Sequence, residues 1–264
     1  MNKAKKILIA FSLVLLVFSL AATAGHLLED YQARKHMGEL ARQPEDSPIG
    51  SGTGGGATAP PLSDEKVKED EPVMLSKLQE LYRRNPDIVG WLKIEDTVID
   101  YPVMQNPQDG EYYLSHDFDK KESKHGLPFL DVHCQIDDGD ILLIHGHYIK
   151  NGMMFADLMK YKEERFYQEH PTFQFSTLYE TADYEIVAVI LSKVYRKAEK
   201  IFKYYQVEKV GTPAEFDSYI QNVKQLALYD TGVTAQYGDK LVVLSTCEYS
   251  TENGRLAVIA RKRQ

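Results

Sequence analysis

The chain has 264 residues, of which 43% are hydrophobic and 11% aromatic, enough for one large domain with a buried core and some additional segments. Its formal charge is −8, from 31 basic and 39 acidic residues, which argues against a general nucleic-acid binder because such proteins present a basic face. Its two cysteines, Cys134 and Cys247, exclude a scaffold held together by several disulfides.

A membrane-spanning segment is predicted near the N-terminus. Three lysines within residues 1–6 precede residues 7–24, an 18-residue stretch without charge that is long enough to cross a bilayer. Ala22-Thr23-Ala24 resembles a signal-peptidase site, so a cleaved signal peptide is the alternative. We favour a retained signal anchor because the apolar run exceeds the usual apolar region of a signal peptide. Residues 1–6 are then a cytoplasmic tail, and the rest of a single-pass cell-membrane protein lies outside.

Residues 25–71 are predicted to form a stalk and a flexible linker. Ser47 to Pro61 consists mainly of Gly, Ser, Thr and Pro, a composition typical of linkers. The extracytoplasmic domain is predicted to span residues 72–264. Its first element is a helix that ends at Asn85-Pro86 and has these apolar residues at helical spacing: Met74, Leu75, Leu78, Leu81 and Tyr82.

Strand signals dominate from Trp91 onward. The candidate strands are residues 91–94, 98–103, 127–132 and 141–144, followed by a hairpin around residues 173–178 and 184–195. Residues 155–165 are predicted to be helical. Residues 213–228 are predicted to form an amphipathic helix, with an apolar face made of Phe216, Tyr219, Ile220, Val223 and Leu226. Many short strands with few helices indicate a β-barrel or sandwich with helical insertions.

The last two predicted strands carry candidate catalytic groups. Leu241–Leu244 is an apolar run that leads into Cys247, and Arg255 begins the next strand after a polar loop that closes with Asn253-Gly254. If the strands pair, the thiol and the guanidinium lie at the same end of the sheet. A thiolate nucleophile needs nearby positive charge, and an acyl-transfer transition state needs donors for its oxyanion. The alternative is a buried, inert cysteine with a solvated arginine.

A histidine partner for this thiol is predicted at the end of another strand. The apolar run Ile141–Ile144 leads into His145-Gly146-His147, and a histidine at a strand exit beside glycine is placed to face a groove. His147 is the candidate acid and base for Cys247. The alternative is a surface histidine without a role.

Two further hypotheses use the same residue types. His133, Cys134, His145 and His147 include zinc-ligand types, but they lack a second well-spaced ligand pair, so we predict no metal. A disulfide between Cys134 and Cys247 is compatible with an extracytoplasmic location and would block the nucleophile.

Several segments resemble a sortase, one of the cysteine transpeptidases of Gram-positive bacteria, and most closely class B. The set is specific, although each motif alone is weak, and the resemblance covers roughly residues 75–262. The matching segments are Gly90–Ile94, Ile99–Val103, the YYLSHDF segment Tyr112–Phe118, Gly126–Asp131, Ile144–His147, Leu244–Cys247 and Gly254–Leu256.

This resemblance implies a mainly-β fold, an eight-stranded sortase-type barrel with an N-terminal helix and a helix inserted before the cysteine strand. It makes Cys247 the nucleophile, His147 the general acid and base, and Arg255 the group that stabilises the oxyanion and positions the substrate. His147 is preferred over His145 because it follows Gly146, as in the family. The candidate substrate-binding residues are Ser245, Thr246 and Tyr148. Tyr148 departs from the family, which usually has Asn there. No cofactor is implied.

The resemblance further implies a function. The enzyme would cleave a C-terminal sorting motif of the N-P-x-T or L-P-x-T type after its Thr. It would then join the surface protein to a peptidoglycan amine through a thioacyl-enzyme. A pilin-polymerising sortase, which uses a pilin amine, is one alternative. A peptidase that only hydrolyses and a non-catalytic, membrane-tethered barrel that binds the cell wall are two others.

Overall fold

The computed structural model describes residues 3–42, 72–137, 139–207 and 210–263. The chain divides into two compact units, Met1–Arg42 and Gln43–Gln264. The predicted linker Ser47–Pro61 lies outside the described residues.

The first unit contains one long helix, α1 (Lys3–Ala41). Its apolar side chains are exposed, including Phe18 at 74%. Among the described residues, one helical span, Phe11–Ala41, is long and apolar enough to cross a membrane. Proteins in aqueous solution normally bury large apolar side chains in their interior, so a long helix that exposes them is compatible with membrane anchoring. The helix continues past the predicted span at residue 24, so the first part of the predicted stalk is helical.

The second unit is built on a closed barrel of eight strands in the order β1-β2-β3-β4-β7-β8-β6-β5. The strands are β1 (Ile88–Lys93), β2 (Asp100–Met104), β3 (Phe129–Leu130), β4 (Ile141–His145), β5 (Thr172–Thr177), β6 (Thr181–Lys193), β7 (Leu241–Cys247) and β8 (Gly254–Lys262). The β2–β3 and β4–β7 pairs are parallel, and the other pairs are antiparallel. The prediction of a mainly-β, eight-stranded barrel is confirmed.

Strand β7 is the part of this core that matters most for the site. Its residues Leu241–Thr246 are all buried, as its continuous apolar run predicts for a strand covered on both faces. Burying one Val or Leu side chain contributes about 1.5–3 kcal/mol to folding. A shift of the strand by one residue would also turn each side chain to the opposite face. This packing therefore fixes where the strand ends, at Cys247.

The described residues also contain four α-helices, α1, α2 (Ser76–Arg84), α3 (Glu164–Glu169) and α4 (Pro213–Gln225). Helix α4 lies between β6 and β7 in the chain, where the insertion was predicted. Thr212 caps its N-terminus by accepting a hydrogen bond from the Glu215 N–H, and Pro213 occupies the first turn. The predicted apolar residues Phe216, Tyr219, Ile220 and Val223 are buried.

Some predicted boundaries are wrong. Leu226 lies past the end of α4 and is 42% exposed, because the Leu228 N–H bonds to Val189 O and the chain turns to meet β6. Residues 155–165, predicted as one helix, form a 3₁₀ helix at Phe155–Lys162 followed by α3. Helical periodicity reveals neither the backbone hydrogen bond to β6 that ends α4 nor the change from α-helical to 3₁₀ geometry, which explains both errors.

Candidate active site

The site lies where two parallel strands end side by side. In the β4–β7 ladder His145 is opposite Ser245, so His147 and Cys247 each lie two residues beyond that pair. The Gly146 N–H donates to Ser245 O at 3.0 Å and continues the pairing past the end of β4. The structure therefore brings the predicted acid–base histidine and the predicted nucleophile to one edge of the barrel.

Cys247 and Arg255 are paired directly across the β7–β8 ladder. Both are partly buried, and the Arg255 Nη1 group donates to Gly254 O at 3.0 Å. The thiol and the guanidinium thus lie at the same end of the sheet, as predicted from the two strands. Side chains of directly opposed residues lie on the same face of a sheet, so the guanidinium and the thiol point to the same side of the barrel wall.

His147 is held by contacts on both its ring and its backbone. Its Nε2 atom lies 2.8 Å from Leu114 O, and its own carbonyl accepts a hydrogen bond from the Phe155 N–H at 2.9 Å. A carbonyl only accepts, so Nε2 carries the hydrogen and Nδ1 is left to exchange a proton. Gly146 is required here because a Cβ atom at this position would lie 2.5 Å from the Phe155 ring.

The turn after Cys247 is tight and is fixed by an acidic residue that sequence analysis did not identify. Glu248 is buried, and its carboxylate accepts bonds from Lys162 Nζ at 2.9 Å and from the Ser250 N–H at 2.9 Å. Hydrogen bonds from Ser250, followed by the hydrogen bond from the Lys162 ammonium group, hold the pKa of Glu248 below its usual range. Gly254 closes the turn, where a Cβ atom would lie 2.3 Å from Glu248 O. The position of Glu248 directly after the cysteine was the available sequence signal.

The structure does not expose the side chains of Ser245 and Thr246. Both are 2% exposed. The Ser245 Oγ atom lies 2.7 Å from the hydroxyl of Tyr204, and Thr246 Oγ1 donates to Gly146 O at 2.8 Å. Burial raises the pKa of Tyr204 to about 12, so it stays a neutral partner. The side chains of Ser245 and Thr246 are thus bonded inside the protein and hold the end of β7 in place. Tyr204 lies in a loop without a recognisable pattern, so no sequence signal identified it.

His145 belongs to a different pair. Its Nε2 atom lies 3.0 Å from Asp131 Oδ2, and its ring contacts Phe129 at a centroid distance of 5.3 Å. Burial by itself would raise the pKa of Asp131, but the bonds from His145 and the His133 N–H outweigh it and leave the pKa lowered. The structure thus commits His145 to Asp131, which supports the preference for His147.

Cys134 lies apart from the site in the turn between β3 and β4. It is 5% exposed, and its sulfur accepts a hydrogen bond from the Leu143 N–H at 3.3 Å. Both cysteines are free thiols, so the disulfide hypothesis is wrong. The described residues contain no cluster of three or more His, Cys, Asp or Glu side chains arranged to hold a metal ion.

Tyr148 lies beside the predicted catalytic histidine and faces a second tyrosine. Its ring centroid is 5.6 Å from that of Tyr249, with an interplanar angle of 58°. Tyr249 follows Cys247 by two residues and is 69% exposed. Sequence analysis predicted Tyr148 as a substrate-binding residue and did not identify Tyr249, although its place beside the cysteine was a usable signal.

A closed eight-stranded barrel with this cysteine, histidine and arginine at one edge defines the sortase class of cysteine transpeptidases. No family model matches the chain. Among curated proteins, it is 36% identical to sortase B of Listeria monocytogenes over 185 residues, which is 69% of this chain and 72% of the relative. It is 26% identical to sortase B of Staphylococcus aureus over 208 residues, 75% of this chain and 82% of that protein.

Solved structures agree. Sortase B from Bacillus anthracis matches with a TM-score of 0.70 and 28% identity, covering 90% of this chain and 99% of the other. Sortase B from L. monocytogenes matches with a TM-score of 0.60 and 34% identity, covering 70% of this chain and 99% of the other. The chain belongs to the class B sortases. It is therefore a cysteine transpeptidase of the family that anchors proteins to the cell wall, and its substrates are sorting-motif peptides.

Proposed function

We propose that this enzyme cleaves a sorting motif after its Thr and joins the protein to a peptidoglycan amine through a thioacyl intermediate on Cys247. The observation that carries the proposal is the alignment of three groups at one barrel edge. Arg255 is opposite Cys247 in the β7–β8 ladder, and His147 follows the strand parallel to β7. Nucleophile, acid–base group and oxyanion donor are the three roles that acyl transfer requires.

In the first half-reaction, the Cys247 thiolate attacks the carbonyl carbon of the motif's Thr. Arg255 and backbone N–H groups stabilise the oxyanion of the tetrahedral intermediate. The C–N bond then breaks, and the His147 imidazolium gives its Nδ1 proton to the leaving amine. The products are a thioester on Cys247 and a neutral His147 whose Nε2–H still donates to Leu114 O.

In the second half-reaction, an incoming amine attacks the thioester carbonyl carbon. Neutral His147 takes a proton from the attacking nitrogen, the C–S bond breaks, and its electron pair returns to the Cys247 sulfur. The product is an amide between the surface protein and the acceptor, and the thiolate–imidazolium state is restored. Water that attacks at the same carbon would instead give hydrolysis.

The N-terminal unit supplies the location. We propose residues 1–6 as a cytoplasmic tail, residues 7–24 as the membrane-spanning part of α1, and residues 25–71 as a stalk and linker. Residues 72–264 then form the extracytoplasmic catalytic domain. The supporting observation is that α1 exposes large apolar side chains along its span. A tether of this kind keeps the catalytic domain near substrates that emerge on the extracytoplasmic side of the cell membrane.

The test is mass spectrometry of the full chain in detergent, with peptides of the N-P-x-T and L-P-x-T types and scrambled controls. Acceptors are a peptidoglycan stem peptide, a pilin-type lysine peptide and no amine. We expect an N-P-x-T fragment to attach at Cys247 and move to the stem peptide. If the motif peptides stay intact although the protein is folded and its Cys247 thiol is unmodified, the proposed reaction is wrong. Transfer only to the lysine peptide would replace wall anchoring with pilin assembly.

A further inference from the structure

Two tyrosines lie against each other over the catalytic edge, one beside each reacting residue. Tyr148 directly follows His147, and Tyr249 follows Cys247 by two positions. Their ring centroids are 5.6 Å apart at 58°, so the two faces are splayed rather than stacked. The contact joins the loop after β4, which contains His147, to the loop after β7.

Tyr249 is held in place although its ring is exposed. On one side, the Glu248 N–H donates to Gly254 O at 2.9 Å, and its carboxylate bonds to Lys162. On the other side, the Ser250 N–H bonds to the same carboxylate. The backbone on both sides of the tyrosine is therefore held by hydrogen bonds within the turn.

Tyr148 is fixed in a comparable way from its backbone. It forms an antiparallel bridge with Met154, a buried residue with φ of 52° and ψ of −127°. A non-glycine residue in this region of backbone space is strained, and such strain persists only where the surroundings enforce it. The loop after His147 is thus held so that Tyr148 faces Tyr249.

The chemistry of this aromatic pair suits a cation. The faces of neutral tyrosine rings attract ammonium groups. The carboxylate next to the thiol, Glu248, is already bonded to Lys162 and Ser250, so it offers little to an incoming amine. Burial, and then the Cys247 charge and its hydrogen bond, raise the pKa of Tyr249, so its ring stays neutral at physiological pH.

We propose that Tyr148 and Tyr249 form the recognition site for the acceptor amine, which binds as an ammonium ion between the two ring faces. This inference rests on the proposed transfer reaction and assigns the partner of its second step. The bound ammonium loses one proton to water as it leaves the rings. The neutral amine attacks the thioester carbonyl, His147 takes the second proton, and the C–S electrons return to Cys247.

The test compares two nucleophiles with the full-length enzyme. Glycinamide is mostly cationic at neutral pH, whereas hydroxylamine is largely uncharged. The readout is the ratio of transfer to glycinamide over transfer to hydroxylamine, which cancels any common loss in forming the thioacyl-enzyme. In the double variant Tyr148→Leu/Tyr249→Leu we expect this ratio to fall about 10-fold, within the range of cation–π attraction. The corresponding Phe variants keep the ring faces and should keep the ratio near its original value.

Tyr179→Leu is the matched control, because Tyr179 is an exposed tyrosine in the turn between β5 and β6. If the Leu variants fail to fold, tetramethylammonium replaces them as a probe of the unaltered enzyme. It should raise the KM for glycinamide and leave the rate of thioacyl formation unchanged.

An equal ratio in all variants would overturn the proposal, as would a lack of inhibition by tetramethylammonium. A raised peptide KM with an unchanged ratio would also overturn it, because the tyrosines would then contact the sorting peptide. Failure of the proposed reaction would look different, because the unaltered enzyme would then form no thioacyl adduct with the sorting peptide and no transfer product with either nucleophile.

Discussion

The barrel contains two neighbouring cysteine–histidine regions that differ in how their side chains are bonded. In the β3–β4 region, Cys134 is buried with its sulfur bonded to the backbone, and His145 is paired with Asp131. At the β7–β8 edge, Cys247 is only partly buried, and the His147 ring has a backbone carbonyl on one nitrogen.

This difference shows what separates a structural group from a reactive one. In the first region the thiol is buried and the imidazole is paired with a carboxylate inside the protein. In the second region the thiol is partly exposed where its strand ends, and the imidazole is bonded to a neutral backbone carbonyl. Four variant pairs, three with a member from the site and one with a member from the first region, would break or sharpen this contrast.

Replacing the two cysteines should give the largest difference. Cys247→Ala removes the nucleophile, so the thioacyl adduct and transfer should fall to background. Cys134→Ala should keep activity and lose about 1–3 kcal/mol of stability, because the Leu143 N–H loses its acceptor. Peptide transfer and urea unfolding measure the two effects. Substantial transfer by the Cys247→Ala protein would remove the basis of the contrast.

The two histidines come next. His147→Gln should lower the rate of transfer by about 10²–10⁴, the usual contribution of general acid–base catalysis. His145→Gln should have a much smaller effect on transfer, since its ring is bonded to Asp131. Single-turnover kinetics of thioacyl formation provide the comparison. If the His145 variant is the slower one, the general acid–base role belongs to His145 and not to His147.

Arg255→Lys tests the oxyanion donor against a matched arginine. Lysine keeps the charge but loses the planar fork, so we expect a fall in kcat/KM approaching the roughly 10²–10³ of a lost oxyanion donor. The control is Arg261→Lys, because Arg261 lies at the other end of β8 and pairs with Glu185 and Asp239. Equal kinetics for the Arg255 variant and the unaltered enzyme would assign the role to backbone donors.

Asp131→Asn should give the smallest effect, a pH-dependent loss of stability. The lowered pKa of Asp131 means that its carboxylate stabilises the fold above the unfolded-state pKa of about 3.9. This contribution disappears as the pH falls through the lower folded-state pKa. The variant should therefore unfold more easily at pH 7 and match the unaltered protein at strongly acidic pH. Asp217→Asn, at an exposed carboxylate in α4, is the control for urea unfolding. A difference that persists in strong acid would contradict the assignment.

Sequence patterns were sufficient for much of the fold and for the site residues. The continuous apolar run before Cys247 predicted a strand buried on both faces, and Asn253-Gly254 predicted the turn that leads to Arg255. These signals are local, because an apolar run and a turn preference are properties of residues close together in the chain. The motif set then identified the sortase barrel, which the strand order confirms.

Other features required the folded chain. Leu114 O reaches His147 from 33 residues away in sequence, and Lys162 reaches Glu248 from 86 residues away. Tyr204 bonds to Ser245 across 41 residues and supports the end of β7 from inside the protein. Such pairings depend on barrel closure and on loops without a periodic pattern, so no local signal reveals them.

The sequence by itself thus determined the secondary-structure elements and the reactive residue types of this protein. An apolar pattern and a turn preference are carried by residues close together in the chain. The tertiary structure decided which cysteine and which histidine lie at the open edge. It also decided which groups are already bonded inside the protein. The physical reason is that parallel pairing of β4 with β7 joins residues about 100 positions apart, and this register depends on packing of the whole barrel.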